Sequence, residues 1–181
     1  MTVLLALLLV LGCARSASPG PRGDALNLAE FEPSPIEVVD RMLELAGVTR
    51  NDVVYDLGSG DGRIVIAAAK RFGARGVGVE IDPRLVSLSR ENARREGVEH
   101  LVTFQNEDAT TVDISAATVV TLYLSPQANQ LLRPKILREL KSGARVVSHS
   151  HDMGDWRPDA TERVTARTGK VHVLYLWRLR K

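Results

Sequence analysis

The chain is 181 residues long, 44% hydrophobic and 25% charged, with a net charge of +2 from 24 basic and 22 acidic side chains. That length suits one domain of roughly 100–200 residues with a core of its own. A single cysteine excludes a disulfide scaffold, and the composition excludes a collagen-like, low-complexity or multi-span membrane chain. So even a charge balance offers no electrostatic case for a nucleic-acid partner.

Residues 1–12, MTVLLALLLVLG, carry no charged side chain. The apolar run Val3 to Leu11 is too short for a spanning helix, which needs ~20 residues, but fits the ~7–15 residues of a secretion-signal core. Val10-Leu11-Gly12-Cys13 follows and looks like a bacterial lipoprotein processing site with Cys13 as the acylated residue. Leu11 is an uncommon residue there, and no Lys or Arg precedes the run. Three readings therefore stand for residues 1–13: a lipoprotein or export signal, an uncleaved tail that contacts a membrane, and a start codon set too far upstream. Residues 14–25, rich in Ser, Pro, Gly and Arg, read as a linker, so the folded domain is expected over 26–181.

Ser34-Pro35-Ile36-Glu37 predicts a helix start, with Ser34 as cap, Pro35 in the first turn and Glu37 closing a capping box. Val38, Val39, Met42, Leu43 and Ala46 continue at helical spacing and Gly47 stops the run. Strands are predicted at Val53–Leu57, Val77–Ile81, Leu101–Gln105, Val119–Leu124 and Ala144–Ser148. Helices are expected over Arg63–Phe72, from Asp82-Pro83 to about Glu96, and from Ser125-Pro126, with Pro134 dividing the last into two pieces. Glu162–Ala166 and Val171–Leu179 then read as strands joined only by a turn at Thr168-Gly169, hence an antiparallel hairpin. Strand–helix alternation closed by a hairpin predicts an α/β sheet, mostly parallel, with helices on both faces.

The stretch Asp56-Leu57-Gly58-Ser59-Gly60-Asp61-Gly62-Arg63 carries the most chemistry. Its glycines let the chain turn sharply and a ligand approach closely, and the following helix start presents unpaired N–H groups. A dinucleotide fingerprint, G-x-G-x-x-G, would place a small residue at position 63, where this chain has arginine. Asp56 and Asp61 would repel a pyrophosphate and suit an ammonium. S-adenosylmethionine, with its amino-acid ammonium and its ribose but no phosphate, fits those charges. Glu80, 24 residues after Asp56 at the end of the second strand, can accept from two ribose hydroxyls. Asp108, in Asn106-Glu107-Asp108-Ala109 after the third strand, can accept from the adenine amino group. Glu80 or Asp108 taken alone is more often a helix cap or a solvated charge, and the glycine loop alone can be just a tight turn; their order and spacing together are what point to a nucleoside.

DLGSGDGR, GVGVEID with Glu80, and NEDA together resemble the class I, seven-strand S-adenosylmethionine-dependent methyltransferases. Phe31-Glu32-Pro33-Ser34-Pro35, Leu124-Ser125-Pro126, and Gly143 to Ser148 with Trp156 and Pro158 resemble one subgroup of that class. It contains the mitochondrial protein-lysine methyltransferases acting on the adenine nucleotide translocase and the ATP synthase c-subunit, together with small bacterial relatives. The resemblance implies a Rossmann-like sheet of strand order 3-2-1-4-5-7-6 with the seventh strand antiparallel. It implies a cofactor, S-adenosylmethionine, held by Asp56, Gly58, Ser59, Gly60, Asp61, Gly62, Arg63, Glu80 and Asp108, with Phe31 and Pro33 near the cofactor mouth. A protein substrate, including a membrane protein, and a membrane position through the N-terminal segment are further implications.

Methyl transfer from a sulfonium needs mainly alignment of nucleophile and methyl ~3–3.5 Å apart, so few catalytic residues are expected to announce themselves. The acceptor pocket is expected after the fourth strand, at Tyr123, Leu124, Ser125 and Pro126. The Asp/Asn-Pro-Pro-aromatic sequence of nucleic-acid amino-methylating enzymes is replaced here by Leu-Ser-Pro, which speaks against base methylation. Tyr123 or Ser125 could orient a lysine amine or simply pack. His149-Ser150-His151-Asp152 with Asp155 suggests a metal only superficially; a solvated loop after the fifth strand is expected, and no metal. Trp156 reads as a lid or packing residue. The competing functions are an NAD(P)-dependent Rossmann oxidoreductase and a non-catalytic, membrane-tethered cofactor-binding module.

Overall fold

The computed structural model describes residues 32–181. The signal-like segment 1–13, the linker 14–25, the domain start at Leu26, and Phe31 lie outside the described residues. Among the described residues no helix is long and apolar enough to cross a membrane.

Elements follow in the order α1 (Ile36–Leu45), β1 (Val53–Leu57), α2 (Arg63–Phe72), β2 (Arg75–Glu80), α3 (Pro83–Arg95), β3 (Val102–Asn106), β4 (Val119–Leu122), α4 (Pro126–Glu139), β5 (Arg145–His149), β6 (Ala160–Thr165) and β7 (Val171–Arg178). They form one seven-stranded sheet of order β3-β2-β1-β4-β5-β7-β6. The pairs from β3 to β5 are parallel, and β7 runs antiparallel to both β5 and β6. The expected strand order and the single reversed strand are both present.

Burial explains which strand goes where. Every residue of β4 is buried, and so are the last four of β1, as central parallel strands covered on both faces require. The edge strand β6 alternates half-buried and exposed residues. One apolar layer joins α1, α2 and α3 to the sheet through Val38, Met42, Val65, Ala68, Val86 and Phe104. The other face is covered by α4 and the 109–117 connection through Leu132, Ile136, Leu140, Val112, Ile114 and Trp177.

Three local expectations are corrected. The capping box at the start of α1 does not form: Pro35 is the cap position, without a side-chain bond. Ser34 Oγ instead meets His149 Nδ1 at 2.8 Å, and Glu37 accepts from the Arg167 backbone N–H at 2.6 Å. Longer-range partners outbid the local ones. Pro134 does not divide α4, which runs unbroken from Pro126 to Glu139. Pro134 lies on the exposed side, so the carbonyl it leaves unpaired can face water, while Leu132 and Ile136 anchor the helix on either side. The segment beginning at His149 is not a solvated loop throughout, since His149 ends β5 and is fully buried.

At the amino end of the sheet, Asp52 gathers the starts of three strands. It accepts from Thr118 Oγ1 at 2.7 Å and Thr49 N at 2.8 Å, and pairs with Arg145. Burial pushes the Asp52 carboxyl up, but the bonds from Thr118 and Thr49 outweigh it and hold the group below its ordinary value.

Candidate active site

The site is built at the carboxyl ends of β1, β2 and β4, where parallel sheets of this kind leave a crevice. After Leu57 the chain turns so tightly that Gly58 N and Ser59 N both donate to Val79 O at 2.9 Å. Gly58 has φ +80, and a Cβ there would fall 2.7 Å from a Leu124 methyl. Gly62, also at φ +80, caps α2, and a Cβ there would lie 2.6 Å from the Phe104 ring. The loop thus needs glycine both for its dihedrals and for its close approach to β3 and to the segment just past β4.

Asp56 is 2% exposed, and its Oδ1 accepts from Thr121 Oγ1 at 2.8 Å. Burial pushes the carboxyl up to about 7; the Thr121 bond opposes this, and the neighbouring Glu80 and Asp61 charges add to it. Glu80 binds both lips of the crevice, accepting from Gly60 N through Oε2 and from Asp82 N through Oε1, each at 2.9 Å. Two carboxylate oxygens have about four lone-pair sites, so acceptor capacity remains for a pair of hydroxyls. Asp61 is held by the Arg63 guanidinium at 2.6 Å, and Arg63 also donates to the Ser34 carbonyl at 2.9 Å. Asp108 accepts from Thr110 N and Thr110 Oγ1 at 2.8 Å, both through Oδ1. It is a turn-forming acid and a wall residue at once.

These groups enclose a cavity of about 430 Å³. Asp56, Gly58, Ser59, Gly60, Asp61, Arg63, Glu80 and Asp108 line it, as do Pro33, Tyr123 and Leu124. Three expected site residues do not. Gly62 sits behind the loop and serves the packing of α2 on β3. Ser125 caps α4, accepting from Ala128 N at 3.2 Å, and Pro126 occupies the first turn of that helix. The acceptor segment therefore ends at Leu124, because the next two residues are used to start a helix. Sequence reasoning missed Glu32, Ser34, Ile81, Asp82, Arg84, Leu85 and Glu107 on the wall. Ile81 and Leu85 flank the Asp82-Pro83 cap and were detectable as apolar residues just past Glu80; Glu32 and Ser34 stand inside the Phe31–Pro35 motif, where only Phe31 and Pro33 were assigned to the cofactor mouth.

Tyr123 lines the crevice just past the end of β4. Its hydroxyl donates to Glu32 Oε2 at 2.8 Å, and its ring stacks on the His149 imidazole with centroids 3.9 Å apart. Burial and the Glu32 carboxylate push the phenol up to about 12, so Tyr123 is a hydrogen-bond donor at neutral pH and not a base. Behind it, His149 Nε2 meets His172 Nδ1 at 2.8 Å. Burial and the adjacent His172 bring His149 down to about 4 and keep it neutral. The remaining polar residues of the 149–155 stretch disperse: Asp152 accepts from Gly154 N, and Asp155 pairs with Arg133. Trp156 packs on Trp177, whose indole donates to the Trp156 carbonyl at 2.8 Å, and it does not line the cavity.

The donor set suits S-adenosylmethionine. Asp56 and Asp61 could take an amino-acid ammonium, and Glu80 a ribose diol. Asp108 could take an exocyclic amine, with Ile81, Leu85 and Ala109 as apolar walls for a base. Ser59 lines the crevice, but its buried Oγ packs against Gly78 of β2 and has no hydrogen-bond partner among the described residues.

Comparison with known proteins agrees. The model of the ANTKMT methyltransferase domain matches residues 56–160. A protein-lysine N-methyltransferase of Saccharolobus islandicus (strain REY15A) is 43% identical over 149 residues, which are 81% of this chain and 91% of that protein. The ATP synthase c-subunit lysine N-methyltransferase of Xenopus laevis is 43% identical over 129 residues, and there the match spans 71% of this chain but only 56% of the relative. Among solved structures, an RNA methyltransferase from Salinibacter ruber in complex with S-adenosyl-L-homocysteine superposes with a TM-score of 0.79. It is 55% identical, covering 83% of this chain and 95% of that one. Fold and crevice together define an S-adenosylmethionine-dependent methyltransferase of the seven-strand, Rossmann-like class. Within that class the chain belongs to the ANTKMT methyltransferase family.

Proposed function

We propose that the chain N-methylates a lysine of a protein, with Asp56, Ser59, Gly60, Asp61, Glu80 and Asp108 holding the methyl donor. The observation that carries this reading is the charge of the crevice. The buried Asp56, itself pushed up to about 7, and six further acids line it, the six being Glu32, Asp61, Glu80, Asp82, Glu107 and Asp108, against two guanidiniums, Arg63 and Arg84. The guanidiniums pair with Asp61 and Asp82, which leaves the remaining acids in excess on the wall. Such a wall attracts a cationic side chain and repels a phosphate backbone. The names of the Saccharolobus and Xenopus relatives support a lysine acceptor.

Bound S-adenosylmethionine supplies an electrophilic methyl group and a neutral leaving group. The protein's part is to desolvate and align the amine. Leu124 and the Tyr123 ring furnish an apolar surface, which favours the neutral amine over the ammonium. The Tyr123 hydroxyl, fixed by Glu32, can orient it. No residue of the wall is needed to act as a strong base, because the open mouth lets water carry the proton away.

Similarity to the Salinibacter RNA methyltransferase favours a second reading, an RNA acceptor. Incubating the full chain with isotope-labelled S-adenosylmethionine and a membrane-protein extract that retains its RNA separates the two. Label in lysine-containing peptides is expected. Label confined to nuclease-sensitive material would overturn the lysine reading, and tight NADH binding would revive an oxidoreductase. Donor binding with no transfer to either acceptor would favour a non-catalytic module. We further read residues 1–13 as a membrane-contacting segment with the domain on the cytosolic side, where the methyl donor is made. A mature N-terminus at an acylated Cys13 in the membrane fraction would contradict that placement.

A further inference from the structure

The chain has five lysines, and the sheet topology sorts them. Helices α2 and α4 start at the carboxyl edge of the sheet and run back toward its amino edge, taking Lys70, Lys135 and Lys141 with them. Lys70 pairs with Glu96 at 2.5 Å and Lys135 with Glu139 at 2.9 Å. Lys181 follows β7, which ends at the amino edge because it is reversed, and its Nζ donates to the Arg138 carbonyl at 3.1 Å. That same reversal brings the β6–β7 turn to the carboxyl edge, and Lys170 is in that turn.

Lys170 Nζ lies 3.5 Å from Glu32 Oε1, and the other oxygen of the same carboxylate receives the Tyr123 hydroxyl at 2.8 Å. Glu32 and Tyr123 are both wall residues of the crevice. An ammonium of the chain itself is thus within one carboxylate's width of the phenol at the acceptor side. The pair is well exposed, 63% and 64%, so it is weakly held and the side chain is free to swing.

We propose that Lys170 is a methylation site of its own chain, modified in cis through the Glu32–Tyr123 side of the crevice; this rests on the lysine reading above. The ammonium first gives a proton to water at the open mouth. The amine lone pair then forms the N–C bond as the methyl C–S bond breaks, its electron pair staying on sulfur. The products are a neutral thioether and a charged N-methyl-lysine. The residue would act as a resident stand-in for the lysine of a client protein.

Peptide mapping by mass spectrometry of the full chain, as purified and after incubation with labelled S-adenosylmethionine, tests this. One or more added methyl groups are expected on the Lys170 peptide and none on peptides bearing Lys70, Lys135, Lys141 or Lys181. The rate per molecule should not change on dilution, and K170R should carry no label. As a readout independent of turnover, titration with S-adenosylhomocysteine should shift the side-chain resonance of isotope-labelled Lys170 and leave the other four in place. A Lys170 that stays unmodified and unshifted while the chain binds S-adenosylhomocysteine and methylates an added protein lysine overturns this proposal and spares the functional reading. A rate that rises with protein concentration overturns the cis geometry. Failure to bind S-adenosylhomocysteine at all removes both.

Discussion

Glu80 shows how much one side chain can be asked to do. It ties Gly60 to Asp82 across the crevice and keeps acceptor capacity for a diol. Glu80→Gln preserves the volume but turns one acceptor into a donor facing a backbone N–H. Losing one charge-assisted bond costs about 1–3 kcal/mol, so S-adenosylhomocysteine affinity measured by calorimetry should fall roughly 10- to 100-fold. Asp56 and His149 make a second residue-level case. Asp56 ordinarily titrates at 3.8 and here near 7, so the folded chain keeps a proton the unfolded chain releases, and stability falls as pH rises through that interval. His149 ordinarily titrates at 6.5 and here near 4; the unfolded chain takes a proton the folded one refuses, and stability falls as pH drops through that interval. The charged and titratable groups around His149 are His172, His151, Glu32, Lys170 and the stacked Tyr123 phenol. The two slopes oppose each other over nearly the same range. Asp56→Asn should therefore expose a stability that climbs between about pH 4 and 6.5, and His149→Gln one that declines, both read from urea unfolding at a series of pH values. Asp56, Glu80 and Asp108 were legible in the sequence because each follows a strand in a fixed order. The roles of Glu32, Ser34 and His172 were not, because their partners lie 91 to 115 residues away for the first two and on the neighbouring strand, set by the β5–β7 register, for the third.

Elements were easier to read than their junctions. α2 was bounded correctly because glycine closes it at both ends, and α3 because Asp82-Pro83 caps it, with Asp82 accepting from Arg84 N at 2.8 Å. Pro134 misled because local preference was weighed without knowing which side of α4 faces water. A proline inside a helix still sacrifices one bond, so Pro134→Ala should restore a donor for the Gln130 carbonyl and raise stability. The gain should be about 1–3 kcal/mol, seen as a higher thermal midpoint. A drop in the midpoint would mean that the ring makes contacts that outweigh the missing bond.

At the scale of the molecule, stability and chemistry sit at opposite edges of one sheet. The Asp52–Arg145 pair staples β1, β4 and β5 at the amino edge, far from the crevice. Arg145→Met would leave the Asp52 carboxylate buried without its partner. The cost should be about 3 kcal/mol in denaturant unfolding, with S-adenosylhomocysteine affinity unchanged in the protein that remains folded. The sequence suggested where strands lie but not this staple, since Arg145 read only as part of a strand motif.

The strand order has a consequence for how such a protein can change its target. Every acid proposed to hold the donor, apart from rim groups, falls in one uninterrupted stretch from Asp56 to Asp108, folded as β1 to β3 with their helices. The rest of the crevice draws on scattered pieces, with Glu32 before the first helix and Tyr123 after β4 on the wall, His149 stacked behind Tyr123 and Lys170 of the hairpin turn beside Glu32. Drift in those pieces can refashion what is offered to the methyl group while the nucleoside seat is inherited intact, so closely similar chains can come to serve different recipients.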